Sequence, residues 1–231
     1  MRNLKRAFSL VLALIMVLGM IPFTAAAEST TYSLVELASQ NKIKLLGRTA
    51  PNPENTGLMC EWAGSGFQVN VSGEGGPMTI AVSNNYYSTW VIQVDGEQVF
   101  REHYKNGGEL TFSAQIPAGK HTVTVIKDSE NQSLPTDRTD LISMTFGGTI
   151  EERPADKDLL IEYIGDSYTT GMGGLGEYTP GVAWKLNEHS FTSSYAYQSA
   201  QALNADYMIA ARGGIGLFDG VSAEQPDDDP K

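Results

Sequence analysis

Short segments in which apolar and polar residues alternate recur through the first two thirds of the chain. They lie at residues 67–71, 78–82, 90–94, 110–113, 121–126 and 141–146, and turn residues separate them. Alternation with a period of two is typical of strands that bury one face. The dipeptide Asp95-Gly96 after the third segment predicts a tight hairpin. Many such strands, without helical periodicity between them, predict an all-β sandwich over residues 43–149.

The pattern changes after residues 150–157, a segment that holds charged residues and a proline and that we interpret as a linker. Residues 159–164 form a short, mainly apolar run bounded by turn residues, which predicts a buried strand of a parallel sheet. Residues 193–203 have helical spacing, and Asn204 can end that helix. Residues 205–211 predict a second strand. Strand, helix and strand together predict a β-α-β unit with adjacent parallel strands.

Each of these two strands runs into a loop of small residues. The first is Gly165-Asp166-Ser167, and the second, the glycine loop, covers residues 212–216. Carboxyl ends of parallel strands share one edge of a sheet, so we expect the loops to lie close together. The Ser167 hydroxyl is a nucleophile if a base takes its proton, and glycine amides near 214 suit an oxyanion hole. The alternative is two ordinary turns, because glycine, aspartate and serine dominate turns.

The N-terminus has the order of a secretory signal peptide. Residues 1–6 are basic, residues 7–23 are apolar with a single serine, and residues 24–27 are small. An uncleaved membrane anchor is the alternative. We predict a secreted, extracellular protein in which residues 1–27 are removed and residues 28–42 form a leader. No membrane association is expected after cleavage.

Composition narrows the partners and the chemistry. The net charge of −11 argues against nucleic acid as a partner, because phosphate backbones repel an acidic protein. Cys60 is the single cysteine, which excludes an internal disulfide, and we expect it to be buried as a small apolar residue. The oligomeric state stays open.

Several of these segments resemble a known family. Gly165-Asp166-Ser167 after an apolar strand resembles the first block of SGNH (GDSL-type) hydrolases, and residues 213–217 resemble their second block. Residues 45–48, 61–66, 94–96 and 119–123 resemble the N-terminal jelly roll of carbohydrate esterase family 2. The resemblance covers residues 43 to about 217. It implies two domains, an all-β jelly-roll sandwich followed by an incomplete α/β/α SGNH-hydrolase-like domain over residues 158–231.

The resemblance also implies a function. Members of the family remove O-acetyl groups from plant polysaccharides such as xylan and glucomannan, so the expected partner is an acetylated polysaccharide. Ser167 would be the nucleophile, and its own backbone amide and that of Gly214 would bind the oxyanion. Asp166 would support the loop rather than react. No metal or organic cofactor is implied.

Two family features have no counterpart in this sequence. Members carry a third block with an asparagine and a late histidine that acts as the base, but neither residue type follows Gly216. His189 precedes the second block and therefore does not match that base. We expect that the chain stops within its second domain and has little or no esterase activity, because Ser167 lacks a base. Residues 158–231 are expected to pack loosely, with Leu159, Ile161 and Ile164 exposed.

A different function class is also open, namely a secreted, non-catalytic carbohydrate-binding module with a vestigial hydrolase part. Exposed aromatic side chains of the sandwich could stack on sugar rings, although core or edge packing is the favoured explanation for each of them taken singly. These candidates are Tyr86, Tyr87, Trp90 and Tyr104. An esterase for lipids or small acyl esters is a third alternative. His121 lies in an alternating segment and is interpreted as structural.

Overall fold

The computed structural model of the protein describes residues 29–131, 138–177 and 185–215. The predicted signal peptide and the end of the glycine loop at Gly216 lie outside these ranges. Within them, no helix combines the length and the apolar character that crossing a membrane requires.

Among the described residues, twelve strands form two antiparallel sheets of six strands each. The strands are β1 (Thr30–Ser33), β2 (Lys44–Leu46), β3 (Ala50–Pro51), β4 (Leu58–Met59), β5 (Gly66–Gly73), β6 (Gly76–Asn84), β7 (Ser88–Val94), β8 (Glu97–Tyr104), β9 (Gly108–Ile116), β10 (Gly119–Lys127), β11 (Thr139–Phe146) and β12 (Thr149–Ile150). One sheet has the order β3-β4-β11-β6-β9, with β1 also on β11, and the other has the order β12-β5-β10-β7-β8, with β2 also on β5.

A single apolar core lies between the two sheets. Phe67 and Val125 from one sheet and Ile80 and Met144 from the other are fully buried in the same cluster. The ring of Trp90 is buried there as well. All six alternating segments are strands of these sheets, so the predicted sandwich is confirmed. The jelly-roll connectivity stays a prediction.

The Asp95-Gly96 hairpin is also confirmed. It joins β7 to β8, and both residues have positive φ values, 52° for Asp95 and 89° for Gly96. A two-residue turn of this kind matches the twist of the paired strands. The alternation pattern did not reveal β8, whose residues are exposed or half-buried along its length because it lies at a sheet edge.

The predicted leader contains ordered structure that packs on the sandwich. Strand β1 pairs with β11, and helix α1 (Leu34–Ser39) follows directly. The Ser33 side chain caps α1 by accepting a hydrogen bond from the backbone amide of Glu36. Leu34 and Leu37 of α1 are buried in the core of the sandwich.

The second part of the chain is a β-α-β unit, as the sequence predicts. Strands β13 (Leu160–Gly165) and β14 (Asp206–Ala211) pair in parallel. Between them lie α2 (Ser167–Thr170), two short 3₁₀ helices (Leu186–Glu188 and Phe191–Ser193) and α3 (Tyr195–Ala202). Asn204 follows the end of α3 with a left-handed φ of 47°, as expected for a helix-ending residue. A complete three-layer α/β/α domain stays a prediction.

The prediction that the strand at residues 159–164 is buried is wrong. Its residues alternate between exposed and half-buried, and Ile164 is 72% exposed. Ile161, expected to be exposed, is half-buried. The physical reason is that one face of the two-stranded sheet packs toward α3, where Tyr163 Oη lies 2.8 Å from Ser199 Oγ. No element of the described ranges covers the other face.

A second apolar cluster joins the sandwich to the β-α-β unit. Leu46, Ala63 and Ile126 of the sandwich pack in it together with Phe191 and Tyr207. The two parts therefore bury surface against each other, in addition to being joined by the segment between them.

Polar contacts reinforce this junction. The buried Lys44 ammonium lies 2.6 and 2.7 Å from the two carboxylate oxygens of Asp206. The Tyr207 hydroxyl donates to the Gly64 carbonyl at 2.9 Å, and the Tyr197 hydroxyl donates to Gln93 at 2.8 Å. A β-carbon on Gly64 would lie 2.5 Å from the Phe191 ring, so this position requires glycine.

Trp90 and Tyr86 test the position of the core. We expect Trp90→Ala to lower the free energy of unfolding by about 3–5 kcal/mol, because the ring is fully buried. Tyr86→Ala, at a position 48% exposed, should change it by no more than about 0.5 kcal/mol. Urea unfolding followed by fluorescence and circular dichroism measures both. Equal losses in the two variants would contradict this placement of the core.

Candidate active site

The serine turn, residues 165–171, begins at the carboxyl end of β13. The Asp166 side chain caps the short helix α2 by accepting a hydrogen bond from the Tyr168 amide at 3.0 Å. The Asp166 carbonyl accepts from the Thr169 amide at 3.1 Å. Hydrogen bonds of this kind are expected of an aspartate that stabilises the turn. A β-carbon on Gly165 would collide with the Thr169 hydroxyl, so the entry into the turn requires glycine.

Ser167 is half-buried at the start of α2. Its carbonyl accepts from the Met172 amide at 2.9 Å and from the Thr170 hydroxyl at 3.0 Å. Within the described ranges, the Ser167 hydroxyl has no hydrogen-bond partner, so no described residue is placed to take its proton. A shallow pocket opens beside the turn and is lined by Ile164, Asp166, Tyr168, Tyr195 and Ile215.

The glycine loop reaches the same sheet edge from β14. Gly165 pairs with Ala211, and the Arg212 amide donates to the Gly165 carbonyl at 3.4 Å. The expected proximity of the two loops is therefore confirmed for their first residues. Gly214 has a φ of 77°, a conformation that favours glycine. That the amide of Gly214 serves Ser167 stays a prediction.

Sequence analysis missed a polar segment that the fold buries. The five residues 127–131 begin with the last residue of β10, and the exposed fraction is 0% for the first three and 4% for Glu130 and Asn131. The Lys127 ammonium donates to the Ser129 carbonyl at 2.9 Å and to the Asn131 side chain at 2.6 Å. The sequence analysis made no prediction about this segment. Only the depth of its charged residues in the structure marks them as important, because buried charges must be paired or hydrogen-bonded.

Asp128 of this polar segment holds the chain before α3. Its carboxylate accepts from Arg101 Nε at 3.1 Å and from the Thr192 amide at 2.7 Å, and its carbonyl accepts from the Phe191 amide at 2.9 Å. Arg101 also donates to the His189 carbonyl at 2.8 Å. Burial raises the pKa of Asp128, although Arg101 and the hydrogen bonds oppose this shift. The sandwich thus determines the path of residues 189–192.

Glu130 of the same segment contacts the glycine loop of the candidate site. Its Oε2 accepts from the Gly213 amide at 2.7 Å. Burial raises the pKa of Glu130, while the Gly213 amide, the Thr170 hydroxyl, Lys127 and Arg212 oppose the shift.

None of the three histidines is a base for Ser167 by its contacts. His189 is buried, and its Nδ1 has no hydrogen-bond partner within the described residues. Burial and then the charge of His103 lower the pKa of His189. His121 lies on β10 at the opposite end of the sandwich strands, with Nδ1 2.7 Å from Asp95 Oδ2, and this hydrogen bond raises its pKa. His121 is therefore structural, as predicted.

Most of the aromatic candidates for sugar stacking are packed inside the sandwich. Trp90 and Tyr87 are buried, and Tyr104 is half-buried with its ring centroid 6.2 Å from that of Phe112. Of these candidates only Tyr86 is exposed. Cys60 is fully buried, and burial raises the pKa of its thiol to about 12, so it is the inert residue that the sequence predicts.

The sandwich matches a known family. Residues 45–148 match the family described as Carbohydrate esterase 2 N-terminal. The resemblance to carbohydrate esterase family 2 is therefore confirmed.

Relatives and solved structures support this assignment. The cellulase/esterase CelE of Acetivibrio thermocellus is 26% identical over 162 residues, which are 70% of this chain and 19% of CelE. A family two carbohydrate esterase from Clostridium thermocellum, solved with cellohexaose, is 25% identical with a TM-score of 0.68, over 76% of this chain and 52% of that chain. The acetyl xylan esterase Est2A of Butyrivibrio proteoclasticus is 24% identical and shows the same fold with a TM-score of 0.72, over 82% of this chain and 50% of that one.

The chain thus spans about half the length of these solved structures and a fifth of CelE. The shared part includes the sandwich and extends beyond it, since it covers more of the chain than residues 45–148.

The opposite pKa shifts of His189 and His121 give a test of the junction. Because the folded-state pKa of His189 is lowered, its contribution to stability is present above about pH 6.5 and is lost as the pH falls toward the folded value. We therefore expect the midpoint of urea unfolding to change less between about pH 7.5 and pH 5.5 in His189→Gln than in the native chain.

His121→Gln is the matched control with the opposite sign. The pKa of His121 is raised, so its contribution is present below about pH 6.5 and is lost as the pH rises through the folded value. This variant should therefore lose more stability in acid than the native chain. The same direction of change in both variants would contradict the assignment of His189 to a buried, neutral site.

Proposed function

We propose that this chain carries the nucleophile of a secreted carbohydrate esterase, which removes O-acetyl groups from plant polysaccharides of the xylan and glucomannan type. The observation that carries the proposal is the position of Ser167. It follows the carboxyl end of β13, beside the glycine loop that follows β14, in a chain whose sandwich matches the family described as Carbohydrate esterase 2 N-terminal.

The proposed reaction is acyl transfer through serine. Ser167 Oγ attacks the acetyl carbonyl, its proton passes to a base, and the tetrahedral oxyanion is bound by the amides of Ser167 and Gly214. Collapse breaks the bond to the sugar oxygen, which leaves with a proton. Water then hydrolyses the acetyl-serine and releases acetate. Asp166 supports this step through its hydrogen bond to the Tyr168 amide, which stabilises the turn.

The substrate class is supported by the relatives. One is an acetyl xylan esterase and another was solved with cellohexaose, so both are linked to plant cell-wall polysaccharides by name. The basic, apolar and small-residue order of residues 1–27 supports secretion, which an enzyme that acts on such insoluble polymers requires.

Ser167→Ala tests the nucleophile. We expect slow acetate release from acetylated xylan by the purified chain, because no described residue contacts the Ser167 hydroxyl as a base. Added imidazole should raise this rate, since its pKa near neutrality lets it take the proton from Ser167. Ser167→Ala should release acetate no faster than buffer with the same imidazole.

Ser143→Ala is the control, because Ser143 lies on β11 of the sandwich. It should retain the native rate at every imidazole concentration. Release by Ser167→Ala equal to that of the native chain would refute Ser167 as the nucleophile. Rapid, Ser167-dependent release without imidazole would instead contradict the expected absence of a base.

A further inference from the structure

Glu130 lies against the glycine loop of the candidate site but does not belong to it. It comes from the sandwich, three residues after the end of β10, and only 4% of it is exposed. A carboxyl group at this depth destabilises the fold unless its oxygens are hydrogen-bonded, so its partners indicate what the position is for.

The contacts of Glu130 connect the sandwich to the glycine loop. The Gly213 amide donates to Glu130 Oε2 at 2.7 Å. The serine turn is held by its own hydrogen bond, which the Thr170 hydroxyl donates to the Ser167 carbonyl at 3.0 Å.

The space around Gly213 fits this contact closely. A β-carbon on Gly213 would lie 2.7 Å from Glu130 Oε1 and 2.6 Å from the Met172 methyl group. The glycine backbone is thus clamped between a residue of the sandwich and a residue that follows the serine turn. The Gly213 amide is held by its hydrogen bond to Glu130. The next peptide group carries the Gly214 amide, and its orientation therefore depends on that bond.

We propose that Glu130 is a positioning residue that holds the glycine loop in register with the serine turn, so that the sandwich takes part in forming the oxyanion site. The catalytic half of this inference rests on the proposed function. Glu130 does not touch the substrate in this proposal. It acts through Gly213.

Two substitutions separate the hydrogen bond from the volume of the side chain. Glu130→Gln keeps an oxygen that accepts from Gly213. Glu130→Met keeps a similar volume but lacks that oxygen. Glu54→Met is the control, because Glu54 is an exposed sandwich glutamate that pairs with Arg138.

The first readout is amide hydrogen exchange at Gly213 in the full chain. We expect Glu130→Met to accelerate exchange by at least about tenfold, as the loss of a hydrogen bond to a carboxylate requires. Glu130→Gln should stay close to the native rate, as should Glu54→Met. If Glu130→Met does not fold, the chemical shift of the Gly213 amide proton in Glu130→Gln is measured instead. Replacing the carboxyl group by an amide moves that chemical shift only if the hydrogen bond exists.

The second readout is Ser167-dependent acetate release in the presence of imidazole. We expect Glu130→Met to lower kcat by about tenfold to a hundredfold with little change in KM, because it misplaces oxyanion donors and not the substrate. Glu130→Gln should restore kcat. A residue that merely stabilised the fold would shift the unfolding midpoint and leave kcat unchanged.

The outcomes distinguish this proposal from the proposed function. Native exchange at Gly213 in Glu130→Met, or an unmoved shift in Glu130→Gln, overturns the role of Glu130. Faster exchange with an unchanged kcat also overturns its positioning role. Absence of any Ser167-dependent acetate release in the native chain refutes the proposed function instead, and the exchange measurement then still decides whether Glu130 holds the glycine loop.

Discussion

The burial of charged groups after β10 is the constraint on which the arrangement of the two parts depends. Asp128 and Glu130 are removed from water, and such carboxyl groups are tolerated only where donors reach them. Two of these donors are backbone amides of the β-α-β unit, those of Thr192 and Gly213. Moving the β-α-β unit away from the sandwich would expose or orphan these carboxyl groups, so the polar contacts specify one relative position.

Apolar packing acts in the same direction. The cluster around Phe191 draws on both parts of the chain, and Gly64 provides the space for its ring. Hydrophobic contact alone is not directional, whereas the Lys44–Asp206 pair and the contacts of the polar segment are. The combination places the serine turn and the glycine loop at one sheet edge, against a wall that the sandwich provides. The sandwich is therefore part of the candidate site's framework.

The sequence was informative wherever structure follows from local patterns. The six alternating segments, the Asp95-Gly96 turn and the end of α3 near Asn204 all depend on neighbouring residues, and all are confirmed. Edge strand β8 was missed, because a strand with little burial lacks a clear alternation. The predicted burial of β13 was wrong, since burial depends on which elements cover a sheet and not on the strand's own residues.

The sequence by itself determined the class of the elements that it predicted, the serine and glycine turns, and the resemblance of the sandwich to carbohydrate esterase family 2. It did so because strand periodicity, turn chemistry and motif spacing are short-range properties. Only the tertiary structure decided that residues 127–131 are buried, that Trp90 belongs to the core, and that Glu130 accepts from the Gly213 amide. The last contact joins residues 83 positions apart, and no local pattern records which distant donor a charged side chain meets.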